Sequence, residues 1–371
     1  MSREADLVVW RPEGLYCPAG DFHIDPWRPV PRAVITHAHA DHARRGHGAY
    51  LATGCSAGVL RARLGDISLQ GLRYGERVHV GDATVSLHPA GHVLGSAQVR
   101  IEHRGRVWVA SGDYFVSGAG DANPTCDAFE PVRCDCFITE STFGLPIYRW
   151  RPQAEVMTEV NDWWRANAEA GRASLLLGYS FGKAQRLLAG LDPSIGPIAV
   201  HGAVEAVNAA YRAAGVALPE TCRLEALDTQ GGPGRQAWPG WHGAGSAALR
   251  RVLVVAPPAA QGSPWTRRLG DCSDAFASGW MQLRGARRRH GVDRGFVLSD
   301  HADWPGLQRA ISATQASRVI VTHGYEAVMV RWLQQQGLEA GSVRTAWGEG
   351  EASREEEDTP AQAEEAPPGA G

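Results

Sequence analysis

Lysine is almost missing from this chain: Lys183 is the one lysine, and arginine carries the rest of the basic charge. No apolar run approaches the roughly 18 residues needed to span a bilayer. The opening Met1 to Trp10 holds Arg3, Glu4 and Asp6 and lacks the basic-then-apolar pattern of a secretory leader. A cytoplasmic protein with no membrane partner is therefore expected. The seven cysteines, at positions 17, 55, 126, 134, 136, 222 and 272, are odd in number and scattered. Such a set is no disulfide framework. Cys134 and Cys136 have a spacing a metal could use, but they sit in a strand-like run where free cysteine ordinarily packs. No internal repeat is present.

What remains is an ordinary globular composition. With 371 residues, 44% of them hydrophobic, the chain can build two structural units and a sizeable core. The formal charge of −3 is unevenly spread: eight acids against Arg354 give Glu349 to Gly371 a net −7, which leaves +4 on the rest. That mildly basic body is compatible with a phosphate-rich partner. The Glu-, Ala- and Pro-rich tail, 349–371, lacks periodicity and is expected to be disordered.

Apolar runs bounded by Gly, Pro and Asp predict strands at 33–36, 84–88, 107–110, 136–139, 175–177, 252–255, 295–298 and 319–322. Helical spacing predicts helices over 154–168, 184–189, 204–214 and 325–336. The class is mixed α and β. The strands ending near 36, 88, 110, 139, 298 and 322 are each followed at once by His, Asp or Glu, so one rim of a β-scaffold would gather these groups.

The densest gathering is Ala33-Val-Ile-Thr-His-Ala-His-Ala-Asp-His42, with His37, His39, Asp41 and His42 within six residues of one another. Imidazole and carboxylate suit zinc or manganese, and a cluster this dense serves two ions once further ligands arrive from elsewhere. A lone histidine is more often a core or surface residue, but that explanation fails for a full HxHxDH at a strand end.

This motif resembles the one that supplies a two-metal site in the metallo-β-lactamase superfamily. Pro89-Ala-Gly-His92 with Val93-Leu-Gly-Ser96 looks like that family's third histidine motif, and Ser111-Gly-Asp113 like its bridging aspartate. Asp25 resembles the first-strand aspartate, which orients ligands from behind. Ile138-Thr-Glu140, Ser299-Asp-His301-Ala-Asp and Val321-Thr-His323-Gly resemble motifs of the nucleic-acid-processing β-CASP branch. The overall pattern, from Gly14 to Glu326, is similar to the bacterial ligase-associated DNA exonucleases, relatives of the Artemis-type end nucleases.

The resemblance implies a four-layer αββα sandwich formed by residues 1–178 and 291–348, with a short β-CASP cap inserted at 179–290. It implies two divalent ions, Zn or Mn. His37, His39 and His92 would hold one and Asp41, His42 and His323 the other, with Asp113 bridging. The catalytic set is then Asp41, Glu140, His301 and Asp113, with His301 as the acid for the leaving oxygen, Glu140 orienting it, and Asp41 sharing in proton handling. The implied substrate is DNA, trimmed as an exonuclease from a 5′ end in end processing or repair. A ligase and a helicase are the implied partners.

Two departures keep alternatives open. The cap is short, which bears on end-trimming against internal cutting. His323 stands where Artemis-like nucleases often carry a non-ligand and RNA-processing relatives carry histidine, so an RNA exonuclease or 3′-end-processing enzyme is the main rival. A small-molecule hydrolase and a silent nucleic-acid-binding scaffold are the others.

Substrate contacts rest on weaker signals. In Gly178-Tyr-Ser-Phe-Gly-Lys183-Ala-Gln185, Ser180 and Lys183 precede or open a helix and are candidates to receive a phosphate, against a plain capped helix with an exposed cation. Ser96 and Ser299, in Gly- and Ser-rich turns, are further candidates. The basic run Arg284 to His290 either tracks a backbone or is a solvated face, and Trp265 and Trp280 either stack bases or pack.

Overall fold

The computed structural model describes residues 5–116, 122–228 and 246–343. The acidic tail and the Gly-, Pro- and Trp-rich stretch 229–245, whose composition predicts a loop, lie outside the described residues. β1 (Val9–Arg11), β2 (Gly14–Cys17), β3 (Phe22–Ile24), β4 (Arg32–Val34), β5 (Ala49–Thr53) and β6 (Leu69–Leu72) form a first sheet in that order, with α1 (Ala57–Leu64) between the last two. β7 (Arg77–Val80), β8 (Ala83–Pro89), β9 (Ala97–His103), β10 (Arg106–Ala110) and β11 (Cys136–Ser141) begin a second sheet.

After α2 (Gln153–Glu169) the chain builds a third sheet. Its strands are β12 (Ala173–Leu177), β13 (Ile198–Val200), β14 (Cys222–Arg223), β15 (Leu253–Ala256), β16 (Cys272–Ala277) and β17 (Arg294–Phe296). They lie in the order β14-β13-β15-β12-β16-β17, and every pairing is parallel. Between them run α3 (Lys183–Leu188), α4 (Gly202–Ala213), α5 (Leu224–Asp228), α6 (Ser246–Leu249) and α7 (Arg284–His290). α8 (Trp304–Thr314), β18 (Arg318–Gly324), α9 (Glu326–Gln335) and β19 (Glu339–Ser342) follow, and β18 and β19 complete the second sheet beside β11.

Side-chain alternation explains how the first two sheets meet. On β8 and β9, Val85 pairs with Ile101 and Leu87 with Val99, so all four point to one face. There they join Phe22, Ile24, Val34 and Leu51 of the first sheet in one core. The outer face of the first sheet packs Ile35, Tyr50 and Ala52 on Leu60 of α1 and Tyr211 of α4. The outer face of the second packs Phe137, Val319 and Val321 on Leu307 and Ile311 of α8 and Met329 and Leu333 of α9.

The third sheet is apolar on both faces, as a parallel sheet covered on both sides must be. On α2, Val156, Val160, Trp163 and Trp164 recur at helical spacing and face Leu176, Ile198, Leu253 and Val255. The strands of this sheet run from β12 to β17, on either side of the 179–290 segment, and α2 packs against them. None of the seven cysteines forms a disulfide, and no described helix is long and apolar enough to cross a membrane.

Candidate metal centre

Seven strands end on one small region. β3 leads into Asp25, β4 into His37 to His42, β8 into His92 and β10 into Asp113; β11 carries Glu140, β17 precedes His301 and β18 carries His323. β10, β11 and β18 run parallel, so their C-terminal ends share an edge. β8 points the same way through two antiparallel pairings across β9.

Asp113 stands at the centre. Its Oδ2 lies 3.5 Å from His37 Nε2, 3.3 Å from His42 Nε2 and 3.8 Å from His92 Nε2, and its Oδ1 lies 3.3 Å from His323 Nε2. Oδ1 is nevertheless buried without a hydrogen bond. His39 Nδ1 lies 3.0 Å from His37 Nε2 and 3.1 Å from His92 Nε2, while Asp41 Oδ2 is 3.3 Å from His42 Nε2. Donor atoms of His37, His39, His92 and Asp113 form one group, and those of Asp41, His42 and Asp113 another. Asp113 also joins Glu140 and His301 in a third. Gly112 makes this approach possible: its φ is +56°, and a Cβ there would stand 2.6 Å from Thr36 Cβ.

The outward nitrogens of the five converging imidazoles reveal what the inward ones are for. A carbonyl or carboxylate oxygen only accepts, so the ring nitrogen facing it must carry the proton. His92 Nδ1 donates to Asp300 O at 2.9 Å, His39 Nε2 to Phe181 O at 3.2 Å, and His42 Nδ1 to Asp25 Oδ2 at 2.7 Å. Thr36 Oγ1 gives its proton to Asp25 Oδ2 and so accepts from His37 Nδ1 at 3.1 Å. Thr322 Oγ1 donates to Thr139 O and likewise accepts from His323 Nδ1 at 3.1 Å.

On a neutral ring each remaining nitrogen therefore aims a lone pair inward. Three of them, on His37, His39 and His92, crowd together with no proton to share. Lone pairs this close repel unless a cation lies among them, and this donor set with its unsatisfied carboxylate oxygen fits divalent metal.

Electrostatics agrees. Burial, then the charge of His42, holds His37 well below the usual imidazole range; burial and neighbouring His301 do the same to His92, and burial lowers His39. These three stay neutral, as ligands must. Burial opposes charge on His42 too, but Asp41, Asp113 and Asp25 outweigh it and raise its pKa well above normal. Asp113 is held ionised against burial, chiefly by His42 and His301. The pocket is thus a negative field that a cation can neutralise.

Beside it, His301 Nδ1 lies 3.0 and 3.1 Å from the two oxygens of Glu140. Glu140 also accepts from the Tyr114 amide at 2.8 Å. Asp25 lies behind the ligands, holding Thr36 and His42.

The residues expected to receive phosphate fare differently. Ser96 Oγ accepts from the His92 and Val93 amides, and Ser299 Oγ accepts from the His301 amide, so both buried hydroxyls shape the site from within. Lys183 is no exposed cation: it is buried, with Nζ 2.9 Å from Asp300 Oδ2 and 2.9 Å from Leu298 O. Ser180 stays partly exposed. Trp265 donates to Glu225, and Trp280 packs on Phe143. Sequence reading missed Thr36, Thr322, Phe181 and Asp300; the last two act through carbonyls, which every residue has and no motif marks.

No family model matches the chain. Over 334 residues, 89% of its length, it is 30% identical to 30% of a protein of Opitutus terrae named "Probable DNA ligase". It is 27% identical over 194 residues to "Ribonuclease TTHA0252" of Thermus thermophilus, covering 45% of this chain and 44% of that one. It is 30% identical over 124 residues to cleavage and polyadenylation specificity factor subunit 3 of Dictyostelium discoideum, 33% of this chain and 16% of that one. The chain thus spans less than half the length of each. A solved structure of a protein of unknown function from Enterococcus faecalis shares the fold at a TM-score of 0.57 and 12% identity, over 86% of this chain and 80% of that one. With these relatives and a His and Asp cluster drawn from seven strand ends, the chain belongs to the β-CASP branch of the metallo-β-lactamase superfamily.

Proposed function

We propose that this chain is a metal-dependent phosphodiesterase that trims DNA ends as an exonuclease, entering from a 5′ end, with two divalent ions, Zn or Mn. The observation that carries the hydrolytic reading is the convergence of five imidazole nitrogens and the Asp113 carboxylate, with the Glu140–His301 pair beside them. His37, His39 and His92 would hold one ion, Asp41, His42 and His323 the other, and Asp113 both. When bound, such a pair supplies a water of lowered pKa and neutralises charge on the phosphoryl oxygens. His301 then gives its proton to the leaving oxygen. Glu140, fixed by the Tyr114 amide, orients that ring and favours its charged form. Asp41, half-exposed at the rim, shares in proton handling.

The helix, sheet, sheet, helix order of the first two sheets supports a four-layer sandwich. The third-sheet unit is our candidate for the β-CASP cap over it. The length of the match to part of a probable DNA ligase supports DNA as substrate and a ligase as working partner, with a helicase implied by the same kinship. RNA is the second reading, favoured by the ribonuclease among the relatives and by histidine at 323.

Digestion of strands labelled separately at each end, as DNA and as RNA, with zinc and with manganese, tests this. Stepwise release from the 5′ label of DNA is expected. His301→Gln should lower that rate by about 10²- to 10⁴-fold with metal content unchanged. Preference for RNA, or release from the 3′ label, overturns the substrate or polarity, and no cleavage of either strand overturns the nuclease reading.

A further inference from the structure

Two of the five imidazoles take their orientation from the third-sheet unit and not from the sheets that carry them. Phe181, whose carbonyl accepts from His39 Nε2 at 3.2 Å, lies between β12 and α3. Asp300, whose carbonyl accepts from His92 Nδ1 at 2.9 Å, follows β17. The Phe181 turn comes very close to the His92 loop: Gly182 has φ +85°, and a Cβ there would stand 2.3 Å from Val93 Cγ1.

A buried charge cluster ties these two carbonyl-bearing segments together. Asp300 Oδ2 lies 2.9 Å from Lys183 Nζ and its Oδ1 3.1 Å from Arg186 Nη1. Lys183 also donates to Leu298 O at 2.9 Å, and Arg186 to Ser299 O and Gln153 Oε1, both at 2.6 Å. The Arg186 guanidinium covers the Phe115 ring at 4.3 Å. All three charged side chains are buried. Burial would raise Asp300, but Lys183 and Arg186 outweigh it and keep it ionised.

Burying two cations and an anion is a poor way to gain stability, because desolvation consumes most of the attraction and an apolar set of equal volume does as well. Such a cluster does fix geometry. Each of its two cations also donates to a backbone or side-chain acceptor, so the 181–183 turn and the 298–301 segment have one relative position.

We propose that Lys183, Arg186 and Asp300 are positioning residues for the metal centre, locking the Phe181 and Asp300 carbonyls where they hold His39 and His92 with lone pairs facing Asp113. The proposal rests on the metal-site reading. On it, the third-sheet unit does more than cover the cleft: it orients the ligands.

The test is chelator competition on the full-length, zinc-loaded chain. Asp300→Asn, equal in size but uncharged, and Lys183→Met should weaken retention by about 10- to 100-fold, the usual cost of losing a partner behind a metal ligand. Lys183→Arg, which keeps the cation, should restore most of it. Unchanged retention in folded Asp300→Asn and Lys183→Met overturns the proposal. Should those variants not fold, imidazole ¹⁵N shifts of the zinc-loaded wild type decide: His39 protonated on Nε2 and His92 on Nδ1 support it, and the opposite tautomers overturn it. A wild type that holds neither zinc nor manganese sinks the metal-site reading itself, a result distinct from wild-type retention matched by the variants.

Discussion

A buried histidine answers to whatever surrounds its two nitrogens, and His42 has the most contrasting surroundings in the cluster. Asp25 accepts a hydrogen bond from its Nδ1, while Asp41 and Asp113 stand 3.3 Å from its Nε2. Its raised pKa means that without metal both nitrogens are protonated at neutral pH. A cation at Nε2 must displace that proton. Metal uptake should therefore release a proton from His42, and from His323 while it too is charged, since against burial Asp113 raises its pKa; affinity should climb by at least about tenfold per pH unit until pH passes the raised pKa of His42, then level off. Calorimetric titration in buffers of different ionisation enthalpy reads the proton directly; uptake with no proton release near pH 7 would remove His42 from the ligand set. At this scale the sequence was most legible where chemistry needs a rare side chain. HxHxDH stands out because imidazoles and carboxylates in that spacing have few other uses, whereas Glu140 and His301 are marked only by the resemblance of their segments to family motifs. Lys183 misled because a lone lysine beside a helix start looks solvent-facing, and nothing local announces that Asp300, more than a hundred residues away, buries it.

The elements that carry these groups were legible in proportion to their apolar periodicity. Each of the eight predicted strands overlaps an observed one, and each of the four predicted helices does too. β1 to β3, β5 to β7, β9, β13, β14, β16 and β19 went unread: most are at most five residues long and leave too little pattern to distinguish them from loop, and the longer β9 and β16 interleave polar residues, so no continuous apolar run marks them. α2 was legible because its apolar positions fall on one face, and its packing sets the limits of the third-sheet unit. Trp164 is the anchor: it is fully buried, and its Nε1 donates to Arg251 O at 2.9 Å, tying α2 to the approach to β15. Trp164→Ala should cost about 3–5 kcal/mol, the range for emptying a large aromatic site in a core. Urea unfolding followed by far-UV circular dichroism measures it. A cost below about 1 kcal/mol would show that α2 is not anchored to the third sheet through this ring.

For the molecule as a whole, the charge that matters is the charge left once the acidic tail is set apart. Arginines then have to supply any grip on a polyanion, since the one lysine is spent inside. α7 is the densest source: Arg284, Arg288 and Arg289 are exposed, while His290 turns inward onto Phe276 at 4.7 Å. This helix ends just before β17, the strand that leads to His301. Phosphate contacts release condensed counterions, and each contact contributes about 0.7 to the slope of log K against log salt for a single strand. Replacing the three arginines by glutamine should weaken single-strand binding at low salt and lower that slope by about 0.7 for each arginine that meets a phosphate. Hydrolysis of a small phosphodiester too short to reach α7 should be unchanged, because the metal cluster is built from other elements. Fluorescence anisotropy across a salt series measures the slope. An unaltered slope in the triple variant would make α7 a solvated face, and the path of the substrate would then have to be sought along another side of the cleft.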